Sequence, residues 1–163
     1  MLKGMRQGRR TRLGRFARDE RGTQLVELAL VLPVLLVLFG ATAEFGRFFY
    51  TYQTLAKATR TGARYLTIKQ PTAESDEKAQ NMVVYGNPEG TGDPVVSGLT
   101  TGMVRVVREG ANPALPDHVT VRIEGYAYEP LFNLVRFSGD SRNSLRINVD
   151  PSTKMRMFLS IPS

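Results

Sequence analysis

Residues 28–43 read LALVLPVLLVLFGATA, an apolar run of sixteen residues without a charged side chain. As a helix this run is about 24 Å long, against a hydrocarbon core of about 30 Å. Leu25 and Val26 before it, and three phenylalanines soon after it, extend the apolar surface to a full span. The alternative, a buried helix of a soluble protein, would show a polar face at helical spacing, and this run has none. The sequence therefore predicts a single membrane-spanning helix.

The positive charge of the chain is concentrated before this segment. Residues 1–22 carry eight lysines and arginines against two carboxylates, and the other residues contribute only one unit to the net charge of +7. A nucleic-acid-binding domain would carry such an excess itself, so nucleic acid is not an expected partner. Short basic segments beside a span stay in the cytoplasm. We therefore expect a cytoplasmic N-terminus, with everything beyond about residue 45 outside the cytoplasm.

A helical pattern continues beyond the apolar run. Apolar and small side chains recur at steps of three and four residues, at Phe45, Phe48, Phe49, Tyr52, Leu55, Ala56, Thr59, Ala63 and Leu66. We predict one continuous helix over residues 23–66, which packs through Phe45, Phe48, Phe49, Tyr52 and Leu55. Pro33 removes one backbone hydrogen bond from this helix, so a local bend is expected there.

The remaining residues, 67–163, are predicted to form a small α+β domain outside the membrane. A helix is expected over 71–85, with Thr72 as its N-cap and Gly86 at its end. Residues 86–102 are rich in turn formers, which predicts a loop. Strands are predicted over 103–108, 119–128, 145–149 and 155–159, with a helical turn over 130–137. We expect an antiparallel sheet against the long helix, because each element has one apolar face to bury. The chain thus divides into a basic leader (1–22), a long helix (23–66) and this domain.

Residues typical of catalysis or metal binding are sparse. The chain has no cysteine, and its one histidine, His118, stands at a predicted strand start without a neighbouring nucleophile. The glycine-rich loop over 86–102 lacks the lysine and the following helix of a phosphate-binding loop. We therefore predict a protein that is not an enzyme, with no metal, no cofactor and no small-molecule substrate.

The start of the hydrophobic helix carries an unusual pair, Gly22 followed five residues later by Glu27. A carboxylate at the edge of a membrane helix is costly and points to a specific partner. Together with Glu44-Phe45-Gly46-Arg47 and Thr61-Gly62-Ala63-Arg64-Tyr65, this pair resembles the N-terminal region of TadE-like proteins. These are pilin-like (pseudopilin) components of the tight-adherence (Tad, or Flp) pilus. The resemblance covers roughly residues 20–68.

The resemblance implies how the chain is processed and where it acts. A prepilin peptidase would cut between Gly22 and Thr23 and leave Glu27 as the fifth residue of the mature chain. The resemblance also implies a minor pilin-like subunit in the bacterial inner membrane, with other pilin-like subunits and Tad assembly proteins as partners. The new amine on Thr23 and a Glu27 carboxylate of a neighbouring subunit would attract by about 4 kcal/mol at 4 Å, before desolvation is subtracted.

Other interpretations of the same stretch stay open. Gly22 is alternatively a loop glycine before the helix, with Glu27 reaching the membrane interface. Separately, the chain is alternatively an uncleaved single-pass inner-membrane component of an envelope or secretion complex. Ala41-Thr42-Ala43 also has the small-x-small pattern that signal peptidase prefers, and cleavage there would release a soluble periplasmic protein that begins at Glu44.

Overall fold

The computed structural model describes residues 20–112, 115–131 and 146–158. Most of the predicted leader lies outside the described residues, and so does the helical turn predicted over 130–137 beyond Leu131. Leu145 and Leu159, at the ends of two predicted strands, also lie outside them. The chain divides into two compact units, one ending at Ala43 and one beginning at Glu44.

The long helix α1 runs over Glu20–Leu66, for 47 residues. Its predicted end is confirmed, and it begins three residues before the predicted start. The helix is continuous through Pro33, while the bend expected there stays a prediction. In the first unit, every leucine, valine and phenylalanine from Leu25 to Phe39 is between 44% and 75% exposed. This helix is long and apolar enough to cross a membrane, and none of its most apolar stretch is buried by protein.

The second unit is built on a three-stranded antiparallel sheet. Its strands are β1 (Val104–Glu109), β2 (His118–Ile123) and β5 (Ser152–Arg156), with β2 in the centre. The register pairs Val106 with Val121, and Val121 with Thr153. The inward side chains of the sheet meet the C-terminal half of α1 in one core, which includes Leu55, Ala63, Leu66, Val104, Val119, Val121 and Ile123. The predicted α+β class, a long helix followed by a small antiparallel sheet, is confirmed.

A second helix, α2 (Ala73–Tyr85), contacts the outer strand β1. Thr72 caps its N-terminus in a reciprocal pair of hydrogen bonds with Ser75, and Gly86 ends it in the left-handed region, at φ 78°. Gln80 Nε2 donates to the carbonyl of Val104 on the outer strand, 3.2 Å away. The cap and the end of this helix were both predicted from sequence, and both are confirmed.

The long strand predicted over 119–128 is wrong, because the structure breaks it. Strand β2 ends at Ile123, and a separate short strand, β3 (Ala127–Tyr128), pairs with β4 (Ile147–Asn148) in a second sheet. Gly125 lies between them at φ 75°. Left-handed backbone cannot continue a strand, although the alternation of side chains resumes beyond it. The other strands are shifted: β1 by one residue, and β5 to an earlier start at Ser152.

Candidate functional site

The predicted processing junction lies inside the first turns of α1. Gly22 is the third residue of the helix, partly buried, while Thr23 and Glu27 are exposed. The interpretation of Gly22 as a loop glycine before the helix is therefore wrong. Thr23 and Glu27 are four residues apart, so their side chains lie on one side of the helix, one above the other. Among the described residues, no cation forms an ion pair with Glu27.

Local opening at this end of the helix is inexpensive. The first four backbone N–H groups of any helix have no intrahelical acceptor, and helix ends fray. Gly22 has no side chain to anchor the first turn, and a helical glycine is less stable than an alanine by about 1 kcal/mol. Unwinding of the first turn of α1 would expose the Gly22–Thr23 peptide bond.

The predicted packing residues of α1 are divided between two faces. Phe48 and Leu55 face the core of the second unit: Leu55 is fully buried, and the ring of Phe48 meets that of Tyr128 edge to face at 5.3 Å. Phe45 and Phe49 point away from this core, 69% and 51% exposed, and their rings stack at 6.4 Å. Tyr52, 44% exposed, shares their side of the helix. The five side chains that the sequence placed on one packing stripe therefore belong to two sides of the helix, one buried against the core and one exposed.

Sequence reasoning missed the role of Glu44, the first residue after the apolar run. Its carboxylate accepts a hydrogen bond from the Tyr128 hydroxyl at 2.5 Å and another from the backbone N–H of Leu131 at 2.9 Å. Burial, together with this carboxylate, raises the pKa of Tyr128 to about 12. The partners are 84 and 87 residues away in the chain, so only the placement of a carboxylate directly after the span was visible in the sequence.

A cavity of about 910 Å³ lies beside the part of α1 that belongs to the second unit. Arg47 and Tyr50 line it from the helix, and Tyr126 and Glu129 line it from the region of β3. Several of its polar groups are paired with protein: the Tyr126 hydroxyl donates to the Ser97 carbonyl at 3.3 Å, and Glu129 pairs with Arg146.

Side chains that could hold a metal ion are dispersed. Within the described residues there is no cluster of three metal-ligating side chains. His118 lies on the outer sheet face, in register between Glu109 and Arg156. A single imidazole beside one carboxylate is too small a donor set for a zinc site.

Comparison with known proteins found a match to one segment of this chain, most of the long helix α1. The model of the TadE-like protein family matches residues 22–64 of the chain. No curated protein and no solved structure matched the chain. The family match confirms the resemblance seen in the sequence. The matched segment lies entirely within α1: it starts two residues after the helix begins and stops two residues before the helix ends. It indicates a protein associated with a Tad pilus, and the sheet-bearing part of the chain lies outside it.

Proposed function

We propose that this chain, whose residues 22–64 match the TadE-like family, is a minor pilin-like subunit of a Tad-type pilus. It would act in pilus assembly, adhesion or secretion, and not as an enzyme. The observation that best supports this proposal is that the two halves of α1 lie in different environments. Its N-terminal half is apolar and exposed all round, while its C-terminal half builds the core of a folded domain. A sheet-bearing head of this size suits a minor subunit better than the shaft of a thin filament.

The apolar half of α1 needs an environment that the chain itself does not supply. Twelve large apolar side chains from Leu25 to Phe39 are exposed, and in water such a surface would aggregate. The lipid bilayer is the first such environment, and a bundle of similar helices is the second. Transfer from lipid to a helix bundle gains no hydrophobic free energy, so side-chain packing and polar pairs must determine which helices associate. In this proposal, the subunit stays in the membrane until the helices of other subunits replace the lipid around the apolar half of α1.

The proposed processing step is hydrolysis of the Gly22–Thr23 peptide bond by a prepilin peptidase. Water adds across the bond, leaving a carboxylate on Gly22 and an amine on Thr23. The helix now starts at Thr23, so Glu27 moves from its eighth position to its fifth. Carboxylates are favoured near a helix N-terminus because of its unpaired N–H groups and its dipole. Cleavage would thereby place the Glu27 carboxylate closer to the helix N-terminus, where a negative charge is more favourable. It would also create an amine with which the Glu27 carboxylate of a neighbouring subunit can pair.

The test replaces Glu27 by alanine in the native host. If Glu27 selects neighbouring helices, Glu27→Ala should leave membrane insertion and cleavage intact, while pili are reduced or lost. The matched control is Gln24→Ala, because Gln24 is polar, exposed and three residues away on the same helix. Membrane fractionation and electron microscopy supply the readouts. Normal piliation in the Glu27→Ala strain would refute the assembly role of this carboxylate.

One observation favours a second candidate. The second compact unit begins at Glu44, the residue that signal peptidase would expose by a cut after Ala43. The product would be a soluble periplasmic protein. Membrane fractionation separates the two candidates, because a pilin-like subunit or an uncleaved anchor stays with the membrane and a product starting at Glu44 does not.

A further inference from the structure

The outward side of α1 in the second unit carries a stripe of positive charge, formed by Lys57, Arg60 and Arg64. These residues follow one another at steps of three and four positions, so they lie on one face of the helix, and all three are exposed. The opposite face is buried through Leu55 and Leu66. No carboxylate in the part of the chain that the structure describes forms an ion pair with this basic stripe. Like charges at these spacings repel one another.

Tyrosines adjoin the basic stripe. A groove of about 590 Å³ on this side of the helix is lined by Tyr50 and Tyr52 together with Lys57 and Arg60, and Tyr50 is 74% exposed. Tyrosine and arginine are the residues most enriched where proteins bind one another tightly, because they combine a large contact area with polar ends. A face that only meets water needs charge but not exposed aromatic rings. The groove therefore has the composition of a docking surface for an acidic partner.

The same unit carries an acidic surface of the required kind on α2 and the loop after it. Residues 71–100 contain five carboxylates and one lysine. Two carboxylates are already engaged, Asp76 with Arg108 and Glu74 with Lys78. Glu77 and Glu89 are exposed and form no ion pair within the described residues. Asn81 Nδ2 donates to the carbonyl of Pro88 at 3.2 Å, which keeps the loop carrying Glu89 against α2.

We propose that the basic stripe of one copy docks on the acidic α2 surface of a second copy of this chain. The charges are opposite, and Lys57 and Arg60 have the same three-residue helical spacing as Glu74 and Glu77. The two surfaces differ, so the contact between the two copies is heterologous. This contact rests on the proposed function, since it names the partner of the subunit, but it does not require cleavage at Gly22.

The chain has no cysteine, so single introduced thiols report the contact in the full-length protein. Arg60→Cys and Glu77→Cys copies, carrying different tags, are produced together and oxidised in membrane vesicles. We expect a mixed disulfide dimer that exceeds both same-site dimers. The matched control pairs Arg60→Cys with Arg105→Cys, because Arg105 is also an exposed arginine of this unit but lies on the sheet. That pair should give only background crosslinking.

Charge reversal tests the electrostatic basis. Adding Lys57→Glu and Arg64→Glu to the Arg60→Cys copy should lower the mixed-dimer yield roughly tenfold. Adding Glu74→Lys and Glu89→Lys to the partner copy should restore it, and high salt should weaken the original pair. A mixed dimer no more abundant than the same-site dimers would overturn the proposal, as would a yield unchanged by charge reversal. Either result, with normal processing and piliation, overturns this contact and leaves the proposed function standing.

Discussion

The Glu44 carboxylate accepts a hydrogen bond from the Tyr128 hydroxyl across 84 residues of sequence, at 2.5 Å. Glu44 follows the apolar run directly, and Tyr128 ends the short strand β3. The same carboxylate binds the Leu131 N–H, and Phe48, one turn further along α1, packs on the Tyr128 ring. These contacts fasten the β3 region to the helix within the second unit.

Loss of Glu44 should therefore destabilise the second unit. Glu44→Ala leaves the Tyr128 hydroxyl and the Leu131 N–H without their acceptor, so we expect a loss of about 2–4 kcal/mol of unfolding free energy. Tyr128→Phe should lower the unfolding free energy by less, about 1–2 kcal/mol. The double variant should lose less than the sum of the two single losses, because both changes remove the same hydrogen bond. Urea unfolding of the full chain in detergent, followed by tyrosine fluorescence, measures this. Asp93→Ala, in an exposed loop, is the control; a Glu44→Ala variant as stable as that control would contradict the assignment.

The same contact predicts a loss of stability at alkaline pH. The pKa of Tyr128 is raised from 10.0 to about 12 by burial and by Glu44, so the folded state holds this proton more tightly than the unfolded state. The resulting stability, at most about 3 kcal/mol, is fully present below about pH 10 and is lost as the pH rises toward about 12. Burial also raises the pKa of Tyr126, so titration of tyrosinate absorbance should show late ionisation, with one group, Tyr128, near pH 12. That group should disappear in Tyr128→Phe; a titration complete near the ordinary pKa of about 10 would be the contrary result.

Elements governed by neighbouring residues were predictable from the sequence, while those governed by distant contacts were not. Thr72, Gly86 and the end of α1 at Leu66 depend on local capping and periodicity, and all were correctly predicted. The break of the sheet at Gly125 was missed, because the alternation of side chains continues on both sides of it. The division of the aromatic stripe between Phe48 and Phe45 was also missed, since helical spacing does not reveal which face a distant sheet will cover.

Gly62 permits a close approach between α1 and α2. A Cβ atom at this position would lie 2.5 Å from Val83 Cγ2 and 3.2 Å from the Ala79 carbonyl oxygen. Gly62→Ala should therefore destabilise the second unit by about 1–3 kcal/mol, despite the better helix propensity of alanine. Gly46→Ala is the matched control, because nothing lies within 4 Å of a Cβ there, and it should be neutral or stabilising. Equal unfolding midpoints for the two variants would contradict this packing.

The ion pair between Asp76 and Arg108 should stabilise the contact of α2 with β1. Both ends are mostly buried, and the second contact of the pair, from Arg108 Nη1 to Asp76 Oδ2, is 2.8 Å. Asp76→Asn leaves a partly buried guanidinium without its counter-charge, so we expect a loss of about 2–3 kcal/mol. The exposed pair Glu74–Lys78 provides the comparison, because Glu74→Gln should have no measurable effect on chemical unfolding. Equal losses for the two variants would be inconsistent with this difference in burial.

The proposed processing at Gly22 would make Thr23 the first residue of the mature chain, and the proposed role of Glu27 depends on it. Intact-mass measurement of the protein, isolated from membranes of its native host, tests this most directly. We predict a mass lower than that of the full chain by residues 1–22, apart from any modification of the new N-terminus. A mass that retains Met1 would contradict processing at Gly22 and favour an uncleaved anchor. A chain that begins at Glu44 would contradict it in favour of signal-peptide cleavage.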